Sequence, residues 1–322
     1  MALRLALLST ARINAALATG AREVDEVEVV AIGSRDLARA EAQAAELGVP
    51  RALGSYEAVL EDPEVDAVYV SLPNALHVPW AIRALQAGKH VLCEKPLTRR
   101  PDDAEAAFAA ADAAGRVLME AFMWRHHPQT RRLEELARTQ IGELRAVRAV
   151  FSFPLGDPGD VRLSAGLDGG ALMDVGCYCL SGMRLVAGEP ERVFAEQVSG
   201  GDGVDVRMTG ALRFAGGVLG HFDCAMDLPM RTGLEVVGAE GSLLLDDPWF
   251  GRYPRIVVRR LDGTVEDVEI DAADPYAWQL RDLAAAAAGE RAPLLGRDDA
   301  LGQARAIAAL YASAASGTAV AP

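Results

Sequence analysis

The chain has 322 residues, of which 51% are apolar and 24% charged. This composition is typical of a folded globular protein long enough for two domains, and it excludes extended disorder. The formal net charge of −14 argues against nucleic acid or a membrane surface as a partner, because both are polyanionic.

The first residues, MALRLALLST, could be mistaken for a secretion signal. Their apolar run ends at Ser9, Thr10 and Arg12, so it is shorter than the roughly seven to fifteen residues of such a signal. No stretch approaches the roughly twenty apolar residues of a membrane span. The four cysteines have no framework spacing, and Cys177 and Cys179 are expected to be buried small residues. We therefore expect a cytoplasmic protein.

Residues 1–121 alternate β-rich apolar runs with alanine-rich helical segments. Strands are predicted at 3–8, 26–33, 66–72, 90–94 and 116–121, and helices at 10–20, 36–47, 55–61, 75–88 and 101–115. Strands separated by helices imply right-handed crossovers and a parallel sheet covered on both faces. The pattern predicts a doubly wound α/β domain whose ligand site lies at the carboxyl ends of its strands.

From residue 122 the pattern changes to consecutive strands joined by short turns. Helices are predicted at 128–138, 170–187, 275–288 and 297–315, and strands at 143–153, 191–199, 204–214, 217–225, 232–238, 241–245, 255–260 and 265–270. A loop rich in Gly, Asp and Pro at 156–169 precedes the apolar helix. Such strands predict a largely antiparallel open sheet in an α+β domain over 122–322. The last helices can also pack back on the first domain.

The turn after the first strand, LLSTARIN at 7–14, lies where a dinucleotide's pyrophosphate would bind. It lacks the glycine fingerprint, since Ser9 and Ala11 stand where the first two glycines would be. The hydroxyls of Ser9 and Thr10 can still bind phosphate and cap the helix. Coenzyme contacts are therefore predicted through Ser9, Thr10, Ala11, Arg12 and Ile13. An ordinary strand-to-helix cap explains this turn equally well.

The end of the second strand favours NADP(H), with NAD(H) as the second choice. An NAD site usually has Asp or Glu there, but this chain has Gly33, Ser34 and Arg35. An arginine beside a serine hydroxyl can bind a 2′-phosphate through charge-assisted hydrogen bonds, each contributing about 1.5–3 kcal/mol. The alternative is that Arg35 is only a solvated residue at a helix start.

Lys95, in the segment HVLCEKP, is one of only two lysines, against 30 arginines. Arginine keeps its charge near neutral pH, whereas a lysine in a cleft can shift its pKa and exchange protons. A proton-transfer role is therefore predicted for Lys95 at the ligand edge of the parallel sheet. The alternative is a surface ion pair with Glu94.

Several motifs together resemble the signature of the Gfo/Idh/MocA oxidoreductase family over essentially the whole chain. They are SLPNALHVPWAIRALQAGKHVLCEKPL, MEAFMWRHHPQ at 119–129 and GGALMDVGCYCLSGMRLVAGEPERV at 169–193. The sequences of the last two motifs are similar to those of the branch that contains dihydrodiol dehydrogenases, glucose–fructose oxidoreductase and NADP-dependent pentose dehydrogenases. The resemblance implies a Rossmann domain over 1–121 and a substrate-binding and oligomerisation domain over 122–322.

The resemblance also implies roles for individual residues. Lys95 would bind the substrate oxygen and assist proton transfer, in a turn that a cis bond to Pro96 can form. Asp174 would orient the substrate, and Tyr178 would share the proton. Further coenzyme contacts would come from Leu72, Pro73, Asn74, His77, Glu94 and Arg125.

Spacing supports the pair of Asp174 and Tyr178, because positions i and i+4 share one face of an α-helix. A nearby ammonium such as that of Lys95 would lower the pKa of Tyr178 from its usual value of about 10. The amine and the phenol are expected to meet over the nicotinamide in a crevice between the domains. A core aromatic on an apolar helix is the alternative for Tyr178.

The leading interpretation is an NADP(H)-dependent oxidoreductase acting on a secondary alcohol or carbonyl of a sugar, inositol or cyclic diol. A homodimer or homotetramer through the C-terminal sheet is expected from the resemblance. The alternative is a non-catalytic, dinucleotide-sensing regulatory protein of the same fold, which Ser9 favours and the joint presence of Lys95 and Tyr178 disfavours. No metal site is expected, because His126 and His127 lack a partner at ligand spacing.

Overall fold

A computed structural model describes residues 2–322 and divides the chain into two compact units. The first contains the chain up to His126 together with Asp274–Leu301, and the second contains His127–Ala273 together with Gly302–Pro322. A helix from near the end of the chain is thus part of the first unit. The domain boundary after residue 121 stays a prediction.

The first unit is built on a six-stranded parallel sheet with the order β3-β2-β1-β4-β5-β6. This is the strand order of a Rossmann domain, which confirms the predicted doubly wound sheet. The strands are β1 (Leu3–Leu8), β2 (Val27–Gly33), β3 (Ala52–Leu53), β4 (Ala67–Val70), β5 (His90–Cys93) and β6 (Leu118–Glu120). The helices are α1 (Asn14–Ala21), α2 (Leu37–Leu47), α3 (Tyr56–Glu61), α4 (His77–Gln86), α5 (Pro101–Ala114) and α8 (Pro275–Ala287).

Local sequence explains these elements. All four residues of β4 are buried, as expected for a strand covered on both faces. Asp36 caps α2 by accepting from the Arg39 N–H, and Gly48 ends it at a φ of 68°. Two predicted helices begin later than expected: α1 starts after a turn, and a 3₁₀ turn over Asn74–Leu76 precedes α4.

The second unit contains an eight-stranded sheet with the order β14-β13-β12-β11-β7-β10-β9-β8. All its pairs are antiparallel except β7 with β10, which confirms the predicted open sheet. The strands are β7 (Leu144–Pro154), β8 (Pro190–Ser199), β9 (Asp205–Phe214), β10 (Leu219–Ala225), β11 (Asp227–Gly238), β12 (Gly241–Leu245), β13 (Arg255–Arg260) and β14 (Val265–Glu269). The helices are α6 (Pro128–Thr139), α7 (Cys177–Ala187) and α9 (Arg297–Ser316), which begins in the first unit. Helix α7 packs on β7, β10 and β11.

The apolar helix predicted over 170–187 is divided. Residues Leu172–Gly176 form a π-helical turn, and α7 follows it. Asp174 thus lies in a turn whose hydrogen bonds join i and i+5 rather than in a regular α-helix, and the shared face of Asp174 and Tyr178 stays a prediction. A Cβ at Gly176 would lie 2.7 Å from the Cys224 Sγ, so glycine allows this turn to pack against β10. Such π-helical turns are frequent at functional sites.

All four cysteines are free and buried. Within residues 2–322, no helix combines the length and the apolar character that crossing a membrane requires.

Candidate functional site

The turn that carries Lys95 follows β5 at the carboxyl edge of the parallel sheet. Its Lys95–Pro96 peptide is cis. The Leu97 N–H donates to the Glu120 Oε1 at 2.7 Å, and the Glu94 N–H donates to the Val70 carbonyl at 2.9 Å. Neighbouring strands thus hold the turn from both sides, while the Lys95 side chain stays partly exposed.

Two buried residues that the sequence did not single out support this turn. Tyr69, fully buried, donates its hydroxyl to Glu94. The other oxygen of the Glu94 carboxylate accepts from the Lys95 N–H at 3.2 Å. Glu120 is 1% exposed. Glu120 lies in the motif MEAFMWRHHPQ, so the motif could have identified it as a candidate residue. Its hydrogen bond with the Leu97 N–H could not be predicted from the sequence.

His77 connects the end of the β4 segment with the turn. Its Nδ1 lies 2.9 Å from the Pro96 carbonyl oxygen and its Nε2 lies 2.8 Å from the Leu72 carbonyl oxygen. Burial lowers the pKa of His77 to about 4, so the ring is neutral at neutral pH. Leu72 is buried, whereas Pro73 and Asn74 are partly exposed. Coenzyme contact by these residues stays a prediction.

The first turn is shaped by a buried network around Ser9. Ser9 adopts a φ of 148°, a backbone conformation that favours glycine. Its hydroxyl lies 2.8 Å from the hydroxyl and from the carbonyl oxygen of Ser71. The Asn14 side chain donates to the Ser9 carbonyl and accepts from the Ser71 hydroxyl, both at 2.8 Å. Asn14 and Ser71 were missed at the sequence level.

The expected cap of the first helix is wrong. The N-cap position of α1 is Ile13, with no side-chain hydrogen bond, because hydrogen bonds to the carbonyls of Ala11 and Arg12 start the helix at Asn14. The Ser9 hydroxyl accepts from the Ala11 N–H instead. Within residues 2–322, the backbone N–H groups of Thr10, Arg12 and Ile13 make no hydrogen bond. Unpaired N–H groups before a helix suit an anion such as a pyrophosphate.

Three exposed arginines follow the first two strands: Arg12 after β1, and Arg35 and Arg39 after β2. Their guanidinium groups form no hydrogen bond or ion pair with any part of the chain that the structure describes. The Ser34 hydroxyl accepts from the Asp36 N–H at 3.2 Å. Since β1 and β2 are adjacent and parallel, both segments lie at the same edge of the sheet. Arg39 was not predicted, because an arginine on a helix usually faces solvent.

In the second unit, aromatic packing fixes Tyr178. The Tyr178 side chain is 7% exposed. Its ring meets that of Phe151 edge-on at 5.4 Å between centroids, and that of Trp249 at 6.0 Å. Asp174 lies in the π-helical turn, where its Oδ2 accepts from the Arg162 Nε at 2.8 Å. Phe151 and Trp249 come from distant segments, so no local pattern predicted them.

The remaining residues considered in the sequence analysis, Arg125, His126 and His127, contact other residues of their own units. The Arg125 guanidinium donates to Asp299 at 3.3 Å, and its coenzyme contact stays a prediction. His126 Nδ1 lies 3.8 Å from an oxygen of Asp282, and His127 caps α6 by accepting from the Gln129 N–H. No group of three or more metal-ligating side chains occurs among the residues that the structure describes.

Two family models together match most of the chain. A model described as an oxidoreductase family with an NAD-binding Rossmann fold matches residues 7–122, and a model of the GFO/IDH/MocA C-terminal domain matches residues 130–244. The chain is similar to D-xylose 1-dehydrogenase (NADP(+)) 2 of Haloferax volcanii, with 41% identity over 319 residues and 98% of each chain covered. It is 35% identical to trans-1,2-dihydrobenzene-1,2-diol dehydrogenase of Bos taurus, covering 77% of this chain and 75% of that one.

A solved structure is also similar over nearly the full length. It is the crystal structure of KijD10, a 3-ketoreductase from Actinomadura kijaniata, in complex with NADP and TDP-benzene. The TM-score is 0.91 at 34% identity, and the match covers 97% of this chain and 98% of that one.

Proposed function

Because the chain belongs to the Gfo/Idh/MocA oxidoreductase family, we propose that it interconverts a secondary alcohol and a carbonyl with NADP(H). The proposed substrate is a sugar, an inositol or a cyclic diol. Named relatives are dehydrogenases and reductases that act on such compounds, which favours an enzyme over the regulatory alternative.

The observation that carries the proposal is the open phosphate-binding edge of the first unit. The N–H groups of Thr10, Arg12 and Ile13 and the Arg12 guanidinium, none of which has a partner among the described residues, fit a pyrophosphate. Arg35 and Arg39 fit a 2′-phosphate, because Ser34 rather than a carboxylate directly follows β2 and the carboxylate of Asp36 is used to cap α2. These residues would hold NADP(H) in preference to NAD(H). When bound, the coenzyme supplies or accepts the hydride.

We assign the proton transfer to Lys95 and Tyr178. Tyr178 would give the proton to the substrate oxygen as a phenol during reduction, or take it as a phenolate during oxidation. The Lys95 ammonium would stabilise negative charge on that oxygen and exchange a proton with the phenol. Asp174 orients the substrate by accepting from a neighbouring hydroxyl. The buried supports of the Lys95 turn and the aromatic packing of Tyr178 favour fixed orientations for both groups, and preorganisation of this kind lowers the barrier.

The proposal includes a homodimer or homotetramer in the reducing cytoplasm. Large apolar side chains are exposed at the strands of the second unit, including Val198 of β8 and Leu219 of β10, and the cysteines are free thiols. Light scattering should give the mass of a dimer or a tetramer. A monomer at micromolar concentration contradicts this part alone.

The test begins with fluorescence titration with NADPH and NADH. Reduction of NADP⁺ is then followed at the nicotinamide absorbance with D-xylose, D-glucose, myo-inositol and trans-cyclohexane-1,2-diol. We expect NADPH to bind more tightly and at least one compound to be oxidised. An absence of NADPH binding would falsify the proposal.

Variants at two positions test the assigned residues. Lys95→Ala should abolish turnover while NADPH binding persists. Lys95→Arg should also be inactive, because a guanidinium keeps its charge but does not release a proton near neutral pH. Tyr178→Phe should lower kcat by about a hundredfold or more, as expected for lost acid–base assistance. Tyr253→Phe is the control, since Tyr253 is 80% exposed. Full activity of Lys95→Ala contradicts the assignment.

A further inference from the structure

The loop before the π-helical turn holds the backbone of Arg162 in a defined place. The Gly170 N–H donates to the Arg162 carbonyl at 2.9 Å. A Cβ at Gly169 would lie 2.2 Å from that same oxygen, so only glycine allows this closure. Beyond the loop, Asp205 accepts from the Leu172 N–H at 2.7 Å. The loop and the turn that contains Asp174 are therefore anchored at both ends.

The Arg162 side chain lies between two carboxylates. Its Nε donates to the Asp174 Oδ2 at 2.8 Å, and its Nη1 lies 3.2 Å from each oxygen of Asp160. The side chains of Asp160 and Asp174 are only 10% and 15% exposed, against 43% for Arg162. The charge of Asp174 is the largest cause that raises the pKa of Arg162. One planar guanidinium thus binds both acids through different nitrogen atoms.

This arrangement differs from an ordinary surface ion pair. Exposed pairs contribute little, because water competes for both charges and two long side chains must be ordered. Here both carboxylates are mostly shielded, and Asp160 restrains the guanidinium through a different nitrogen atom from the one that binds Asp174. The Asp174 carboxylate cannot rotate without losing a charge-assisted hydrogen bond. Its orientation is therefore set before any ligand arrives.

We propose that Arg162 is a positioning residue that holds the Asp174 carboxylate in the orientation in which Asp174 accepts from a substrate hydroxyl. Asp160 has the supporting part, since it fixes the guanidinium plane. This inference rests on the proposed function, and specifically on the role of Asp174 in orienting the substrate. Arg162 acts through Asp174 and makes no chemical step of its own.

A double-mutant cycle tests this coupling. Steady-state kcat and KM are measured at saturating NADP⁺ for the wild type, Arg162→Ala, Asp174→Asn and the double variant. The probe is D-xylose or, if D-xylose is not oxidised, the fastest compound of the same panel. Each single variant should lose about 10–100-fold in kcat/KM, as expected for a misplaced substrate. The double variant should lose no more than Asp174→Asn, because Arg162 has nothing left to position.

Two further variants separate positioning from folding. Arg162→Lys should recover only part of the activity, since one ammonium cannot replace a planar group with two bonded nitrogens. Arg255→Ala breaks the exposed Arg255–Asp246 ion pair of the same unit and should have wild-type kinetics. The NADPH dissociation constant of Arg162→Ala should match that of the wild type, and its thermal midpoint should stay well above the assay temperature.

Additive losses in the double variant, or wild-type kinetics of Arg162→Ala, overturn the inference. The two levels of failure are distinguishable. If no compound of the panel is oxidised, or if Lys95→Ala is fully active, the proposed function fails and this inference fails with it. If Lys95→Ala is inactive while Arg162→Ala behaves like the wild type, only this inference fails.

Discussion

Arginine has opposite surroundings at two places in the molecule, the phosphate-binding edge of the first unit and the interior of the second. At the phosphate-binding edge of the first unit, the exposed guanidinium groups of Arg12, Arg35 and Arg39 have no partner among the described residues. In the second unit, Arg162 is bound by two carboxylates, and the side chain of Arg184 is only 3% exposed and bound by Glu189. We call an exposed arginine without a partner among the described residues an open cation, as at Arg12, Arg35 and Arg39. An arginine bound by carboxylates is a closed cation, as at Arg162 and Arg184.

Desolvation explains the difference. A buried charge must be paired, since removing it from water is costly without a partner. An exposed cation remains hydrated and can exchange water for a ligand at little cost. Closed arginines should therefore contribute to stability or to the position of a neighbour, and open ones to ligand binding. Each of the following predictions tests this distinction.

The largest effect is expected for Arg184→Met. In the wild type, the Arg184 guanidinium donates to both oxygens of the Glu189 carboxylate, at 2.8 and 2.6 Å, and to the Gln303 side chain at 2.9 Å. Breaking a buried pair costs about 3–5 kcal/mol, and we expect about 3 kcal/mol because the Glu189 side chain is 60% exposed. Urea denaturation at pH 7 measures the change. Arg35→Met is the matched open-cation control, and its stability should change by less than about 0.5 kcal/mol. Equal stability losses in the two variants would remove the distinction.

His77 shows what happens to a buried group that can become a cation but is not paired with a carboxylate. Its pKa of about 4 lies below its ordinary value of 6.5, so between these values the unfolded chain binds more protons than the folded one. Stability therefore rises with pH across this window and is lost as the pH falls from 6.5 to 4. The slope reaches about 1.4 kcal/mol per pH unit only in the middle of this window and is smaller near each pKa, so the loss between pH 6.5 and 4 amounts to about 2–3 kcal/mol.

Denaturation curves of the wild type and His77→Gln at intervals from pH 4 to pH 8 isolate this contribution. Glutamine can still donate to one of the two carbonyl oxygens and does not titrate. As the pH falls from 6.5 to 4, the unfolding free energy of the wild type should decrease relative to that of His77→Gln. Above pH 7 the difference between the two proteins should stay constant. A constant difference over the whole range shows that His77 does not lose its charge on folding.

Most of the fold was predictable because it follows from hydrophobic periodicity. Buried parallel strands are continuous apolar runs, and the half-buried strands of the second unit alternate. The two-residue strand β3 was missed, since Ala52 and Leu53 are too short a run to show a period. The π-helical turn at Leu172–Gly176 was also missed, because its packing against Cys224 of β10 is a tertiary contact.

Site residues that lie in a sequence motif could be predicted. Residues whose role depends on a partner distant in the sequence could not. Motifs located Lys95, Asp174 and Tyr178. In contrast, Arg39 and Arg162 look alike in the sequence, as polar residues near a helix or in a loop. Only the structure distinguishes them, because Asp174 binds one guanidinium and no described residue binds the other.

Among the open cations, Arg35→Ala should change coenzyme preference. Loss of one charge-assisted contact to a 2′-phosphate should reduce the ratio of NADPH to NADH affinity by about tenfold to a hundredfold. Fluorescence titration of both coenzymes measures the ratio, with Arg255→Ala as the control. Affinity for NADH should stay within about twofold of the wild type. An unchanged ratio removes Arg35 from the phosphate site.

A smaller effect of a different kind is expected for Arg12→Ala. Arg12 follows β1 beside the unpaired N–H groups of the first turn, so its proposed ligand is the pyrophosphate, which NADPH and NADH share. Both affinities should therefore fall together, by about threefold to tenfold, because an exposed cation is screened by water and salt. The affinity ratio that Arg35→Ala lowers should stay constant, and the loss should diminish as ionic strength rises. A selective loss of NADPH affinity would instead indicate that Arg12 binds the 2′-phosphate, in the same site as Arg35 and Arg39.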